Sequence, residues 1–288
     1  MRTHALPYYE FSEGLFEIDE FDCASVFVIV GEERALVLDT GTGIGDLRWV
    51  IEHKITDKPY DVVLTHNHAD HIGGAGFFAE VWIHEADADW SNLPVPPTLA
   101  GRKFYAKLIA DRENKNYAYD RERDIVEWPK EPVKHILQDM QVFDLGGRKV
   151  TVYHCPGHTA GECAVIDDKS RILLAGDACN RNLLIPDDMV EEAGKGLERL
   201  LALKGTEYDL VYNSHHDFRG FGSPLGDTVL PDAVACLKAI QNHTAAYKKV
   251  PDTLAAEGSM KTVAEYGSVQ ISNLGNADCP KNEKGGNI

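Results

Sequence analysis

Paired cysteines, a membrane-length apolar run and an excess of basic charge are all missing from this sequence. Its six cysteines (Cys23, Cys155, Cys163, Cys179, Cys236 and Cys279) are scattered through 288 residues without paired spacing. That excludes a disulfide framework and leaves the expectation of reduced thiols in an intracellular protein. The opening MRTHALPYYEFSEG has no apolar core of signal-peptide length. No stretch approaches the roughly 18 apolar residues of a membrane span. A cytoplasmic protein is therefore expected, with no membrane partner. Lysine and arginine number 29 against 46 aspartates and glutamates, for a net charge of −17. Such a surface repels phosphate backbones and anionic lipid, so nucleic acid is not an expected partner. GTGIGD (41–46) lacks the G-x-G-x-x-G spacing of a dinucleotide loop. No internal repeat at a fixed period is present.

What is there reads as an ordinary globular chain, 43% hydrophobic and 26% charged. One domain over 1–288 is expected, and a homodimer is compatible with that composition. CASVFVIV (23–30), RALVLD (34–39), DVVLT (61–65) and VWIH (81–84) read as buried strands, with a helix over 46–55. Residues 87–132 are charged, aromatic and proline-bounded, and predict a helical insertion over or beside the core. Its aromatics (Phe104, Tyr105, Tyr117, Tyr119 and Trp128) pack on the core or form a lid. Strands return at RKVTVYHC (148–155), CAVIDD (163–168), RILLAGD (171–177) and DLVYNS (209–214). Helices are predicted near 187–204 and over LPDAVACLKAIQNHTAAYKK (230–249). Residues from about 272 to 288 read as a polar tail.

Four of these apolar strands finish by presenting ligand-type side chains. DVVLT runs into His66-x-His68-x-Asp70-His71. VTVYHC is followed by Pro156-Gly157-His158, ILLAG by Asp177, and DLVYNS by His215-His216. Rigid strands aim the loops at their carboxyl ends into one place, so four such endings argue for one polar site at one sheet edge. Imidazoles and carboxylates without a thiolate suit Zn²⁺ first, with Fe or Mn as alternatives. Six or seven donors exceed one tetrahedral zinc and fit two ions about 3.5–4 Å apart. Asp39, in DTG, is a turn residue or an acceptor that orients a ligand histidine.

The ordered set from His66 to His215, with THNHADHIGG and Asp39-Thr40-Gly41, resembles the metallo-β-lactamase-fold hydrolase superfamily. The resemblance implies an α/β fold, a four-layer αββα sandwich of two mixed β-sheets flanked by helices. It implies that His66, His68 and His158 hold one metal, that Asp70, His71 and His215 hold a second, and that Asp177 bridges them. An aspartate at 177 leans towards the glyoxalase II-like and lactonase-like branches. The implied activity is hydrolysis of a small ester, thioester or lactone by a metal-bridging hydroxide, with Asp70 helping to carry the proton to the leaving group. A mononuclear non-haem iron dioxygenase acting on a thiol or persulfide, and a phosphodiesterase, are the alternatives. The last histidine sits in Asn213-Ser214-His215-His216 rather than in P-G-H-G, which leaves His216 as a second choice of ligand or a substrate contact. Phe218, Arg219 and Phe221 follow closely, and Arg219 is a candidate partner for a substrate carboxylate.

Overall fold

In the computed structural model, which describes residues 1–216, 219–252 and 258–272, seven strands form one mixed sheet. They are β1 (Tyr8–Ser12), β2 (Leu15–Asp19), β3 (Ser25–Val30), β4 (Ala35–Leu38), β5 (Tyr60–Val63), β6 (Glu80–His84) and β7 (Val133–Leu137), side by side in chain order. The first four pair antiparallel, and β4 to β7 run parallel. A second mixed sheet has the order β13-β11-β10-β9-β8. Its strands are β8 (Val142–Asp144), β9 (Lys149–His154), β10 (Cys163–Asp167), β11 (Ile172–Leu174) and β13 (Leu210–Tyr212).

Side chains alternate across a strand, and here both faces are apolar. In β3, Phe27 and Ile29 face the second sheet, while Val26 and Val28 join a cluster on the other side. In β10, Cys163 and Val165 enter the same inter-sheet core, while Ala164 and Ile166 face outward to helices. Each fully buried side chain of this size contributes about 1.5–3 kcal/mol. The outer face of the first sheet packs against α1 (Leu47–Val50, continued by a π turn over Ile51–Ile55) and α3 (Leu99–Glu113). The outer face of the second packs against α5 (Val190–Leu203) and α6 (Val229–Gln241). This is the four-layer αββα sandwich. Short helices α2 (Ala69–Ile72) and α4 (Arg121–Asp124) complete the α-helices among the described residues, and residues 87–132 carry α3 and α4 but no strand. Among the described residues, no helix is long and apolar enough to cross a membrane.

A third sheet goes beyond the two-sheet expectation. β12 (Asn182–Leu184), β16 (Val269–Ser272), β15 (Met260–Tyr266) and β14 (Ala246–Pro251) lie in that order beside α6. The helix predicted to reach Lys249 ends at Gln241. His243 takes a left-handed φ of 56°, which turns the chain, and AYKK becomes the start of β14. The alanines and lysines of that stretch carried a helical propensity that the pairing with β15 overrides. Of the predicted polar tail, Ser272 closes β16 and 273–288 lie outside the described residues.

Candidate metal centre

Parallel and twice-reversed strands bring their carboxyl ends to a single edge of the sandwich. From the first sheet, β5 ends before Thr65, and His66 to His71 follow, the last two ligand-type residues on α2. From the second, β9 leads to His158, β11 to Asp177 and β13 to His215. The amide of Cys163 donates to the carbonyl of Thr65 at 2.8 Å, tying the two sheets together beside the site.

Two groups of side chains converge there. The ligand atoms of His66, His68 and His158 lie within 4.8 Å of one another, as do those of Asp70, His71 and His215. Asp177 stands between them. Its Oδ2 is 3.2 Å from Nε2 of His215, 3.6 Å from Nε2 of His158 and 3.7 Å from Nε2 of His71. Asp70 Oδ2 is 3.6 Å from both His71 Nε2 and His215 Nε2.

The outward nitrogens fix which face of each ring looks inward. His71 Nδ1 donates to Asp39 Oδ2 at 2.9 Å, and His158 Nδ1 donates to the Leu184 carbonyl at 2.9 Å. His66 Nδ1 lies 3.0 Å from Thr65 Oγ1 and 3.2 Å from Glu162 Oε2. Each Nε2 is thereby the ring nitrogen turned towards the centre. Asp39 also receives the Thr65 amide and hydroxyl and the Ser214 hydroxyl, so it organises both sides of the edge.

These residues fit a metal on the evidence of their own unmet bonding. His66 Nε2, His71 Nε2 and Asp177 Oδ1 are buried with no hydrogen-bond partner. His68 Nδ1 and His158 Nε2 face each other at 2.9 Å, and with His158 Nδ1 committed to the Leu184 carbonyl the space between them takes either the ring proton of His68 or a cation. Electrostatics separates the two groups. Burial and the neighbouring imidazoles push His66 well below its usual range and His68 down to about 3. Burial opposes the charged form of His71 and His215 too, yet Asp70, Asp39 and Asp177 outweigh it and hold His71 well up, while Asp177 and Asp70 raise His215. Burial likewise opposes the Asp177 carboxylate, but His215 and His71 hold it well below the usual range. Burial thus disfavours charge on His66 and His68, while His71, His215 and Asp177 compensate one another's charge.

Residues outside this set have other duties. His216 turns away, with Nε2 3.1 Å from Asp22 Oδ1 and its ring against Phe221. Arg219 corrects the sequence expectation of a substrate contact. Its side chain is fully enclosed and donates to both carboxylate oxygens of Glu17, at 2.6 and 3.1 Å, and to the Asn213 carbonyl. No N–H of that guanidinium is left facing the site, because the chain proximity of Arg219 to His215 is not proximity of its side-chain tip. Phe218 lies outside the described residues. Cys179 is a core thiol, and His84 stacks on His154 with ring centroids 3.8 Å apart.

Two participants escaped the sequence reading. Glu162, fully buried, faces His66 and accepts the Asp177 amide at 2.9 Å. The only signal was a lone acidic residue opening the apolar strand CAVID. Tyr105, read as packing or lid, donates its hydroxyl to Asp70 Oδ2 at 2.7 Å. The GTGIG loop wraps an internal carboxylate. The amides of Thr42, Gly43 and Ile44 all donate to Glu20, and a Cβ on Gly41 (φ 66°) would stand 2.5 Å from that carboxyl carbon. Burial nonetheless pushes Glu20 up to about 8. An acid with a raised folded pKa binds its proton more tightly when folded. Its contribution to stability is therefore complete below about 4.5 and is lost as pH rises towards 8. Chemical denaturation at several pH values should show that loss, on the order of a few kcal/mol, and Glu20→Gln should flatten it. An unchanged slope in the variant would show that the carboxylate is ionised throughout.

Residues 20–215 match the family described as the metallo-beta-lactamase superfamily. The chain is similar to the acyl-coenzyme A thioesterase MBLAC2 of Gallus gallus, 30% identical over 194 residues, covering 62% of this chain and 67% of that protein. It is also similar to a probable metallo-hydrolase of Streptococcus pyogenes, 23% identical over 196 residues, covering 66% and 78%. Among solved structures, a metallo-beta-lactamase from Pontibacter korlensis shares the fold with a TM-score of 0.55 at 19% identity, covering 81% of this chain and 99% of that one.

Proposed function

Because the chain belongs to the metallo-beta-lactamase superfamily and is a metal-dependent hydrolase, we propose that it binds two zinc ions and hydrolyses the acyl bond of a small thioester, ester or lactone. The observation that carries the dinuclear reading is the position of Asp177 Oδ2, within 3.7 Å of ligand nitrogens from both histidine groups. His66, His68 and His158 would hold one ion, Asp70, His71 and His215 the other, with Asp177 shared. Bound there, the ions supply hydroxide at neutral pH and polarise the acyl carbonyl. The chain's residues do the rest. Asp39, Glu162 and the Leu184 carbonyl keep the imidazoles in one tautomer and orientation. Asp70, with one carboxylate face on His71 and His215, is placed to pass a proton to the leaving group. A thioester is favoured because two named relatives, at 30% and 29% identity, are acyl-coenzyme A thioesterases. The buried free thiols Cys23, Cys155, Cys163, Cys179 and Cys236 favour a reducing, cytoplasmic setting.

The test is metal content per chain in protein purified without added metal. It is combined with hydrolysis of an acyl-coenzyme A, a lactone and a β-lactam before and after chelation. The expected result is two zinc ions per chain and thioester cleavage that chelation abolishes and zinc restores. One iron per chain, with no hydrolysis of any acyl substrate, would overturn the proposal.

A further inference from the structure

The two halves of the centre differ in which side chains hold their ligands. Around His66, His68 and His158 the outward contacts come from Thr65, Glu162 and the Leu184 carbonyl. The first two belong to the sandwich strands' own ends, the third to the edge of the small third sheet. The inserted segment between β6 and β7 reaches both halves: its Asp87 accepts the Thr159 hydroxyl at 2.6 Å and the Gly161 amide at 2.9 Å beside His158, while its helix α3 touches the half made by Asp70, His71 and His215. Tyr105, on α3, donates to Asp70 Oδ2 at 2.7 Å. That oxygen is the one nearest to His71 and His215. Further along the same insertion, Lys115 and Tyr117 both donate to Asp22 Oδ2, at 2.7 and 2.6 Å. The other oxygen of Asp22 lies 3.1 Å from His216, the residue next to His215. The insertion therefore grips this half twice, once directly at Asp70 and once through Asp22 and His216.

We propose that the insertion completes one half of the dinuclear centre, with Tyr105 as the positioning residue that fixes Asp70 for the metal shared with His71 and His215. This rests on the dinuclear reading above. A carboxylate on a short helix has rotational freedom that a phenol hydrogen bond removes. Partners of this kind are typically worth 10–100-fold in metal affinity. Such a loss falls on one metal only, because the Tyr105 hydroxyl bonds to Asp70, while His66 and His158 keep their anchors on Thr65, Glu162 and the Leu184 carbonyl. Tyr105 thus grades the two sites: the seating of α3 decides whether the ion held by Asp70, His71 and His215 is retained.

Apo protein titrated with Co²⁺ reads both steps by visible absorption, and Zn²⁺ competition against a chromophoric chelator gives the affinities. Tyr105→Phe is expected to leave the first step and the apo thermal midpoint in place. The second step weakens by about 10–100-fold, and thioester turnover falls until zinc is raised to refill it. Asp22→Asn should weaken the same step by a smaller factor, and Phe104→Ala, exposed on the same helix, should move neither. Two steps unchanged in Tyr105→Phe, or both weakened equally, would overturn the proposal while leaving the dinuclear reading intact. A single step in the unaltered protein would overturn both.

Discussion

Asp177→Asn will retain the fold and lose hydrolysis, with kcat/KM down by on the order of 10³-fold or more. The estimate takes roughly 4 kcal/mol as the share of transition-state stabilisation lost with a shared metal ligand, at about 1.36 kcal/mol per tenfold. The carboxamide keeps the shape of the side chain, and the backbone N–H of residue 177 still donates to Glu162. It gives up the charge that lies between His215, His158 and His71, and its NH₂ cannot serve as a bridging ligand. Metal analysis should then find one ion or fewer per chain. Since Asp177 also compensates the raised imidazoles of His71 and His215, the apo variant should titrate those rings at lower pH, which NMR of the imidazole protons would follow. A variant that keeps two ions and near-normal turnover would remove Asp177 from the centre of the mechanism.

Arg219→Ala should cost about 3–5 kcal/mol of stability, because it leaves Glu17 as an uncompensated buried charge. For a chain of this size that corresponds to a fall of about 10 °C in thermal midpoint. Substrate KM should change little in the fraction that remains folded. Pairing it with Glu17→Leu should recover much of the loss, since the penalty lies in the orphaned carboxylate rather than in the absent attraction. The opposite pattern, an unaltered midpoint with a KM raised only for anionic substrates, would return Arg219 to the substrate pocket that its place in the sequence suggested.

Arg219 shows where sequence reading stops. The candidate site was legible because its histidines and aspartates follow the ends of apolar strands, and strand ends are positions that a one-dimensional pattern fixes in space. His215 was preferred over His216 on the same ground, and the geometry separates them clearly, one on Asp177 and the other on Asp22. The sandwich was legible because β3, β4 and β10 are apolar on both faces, which only a doubly covered sheet tolerates. The third sheet was not. β14 is exposed along most of its length and β12 is three residues long, so neither carries a pattern. Glu162 and Tyr105 were illegible for another reason. Each acts through one atom at the tip of a side chain, and the segment that carries it has no repeating chemistry to announce the direction of that tip.

Each proposed half of the centre draws donors from both sheets: His66 and His68 with His158, and Asp70 and His71 with His215. A pair of bound ions would therefore act as a staple across the sandwich, joining segments far apart in the chain without any covalent bond. Ligation that exists only in the folded state stabilises it by mass action. The seam between the sheets, held in the bare chain by apolar packing and the bond from Cys163 to Thr65, would become the last part of the molecule to open.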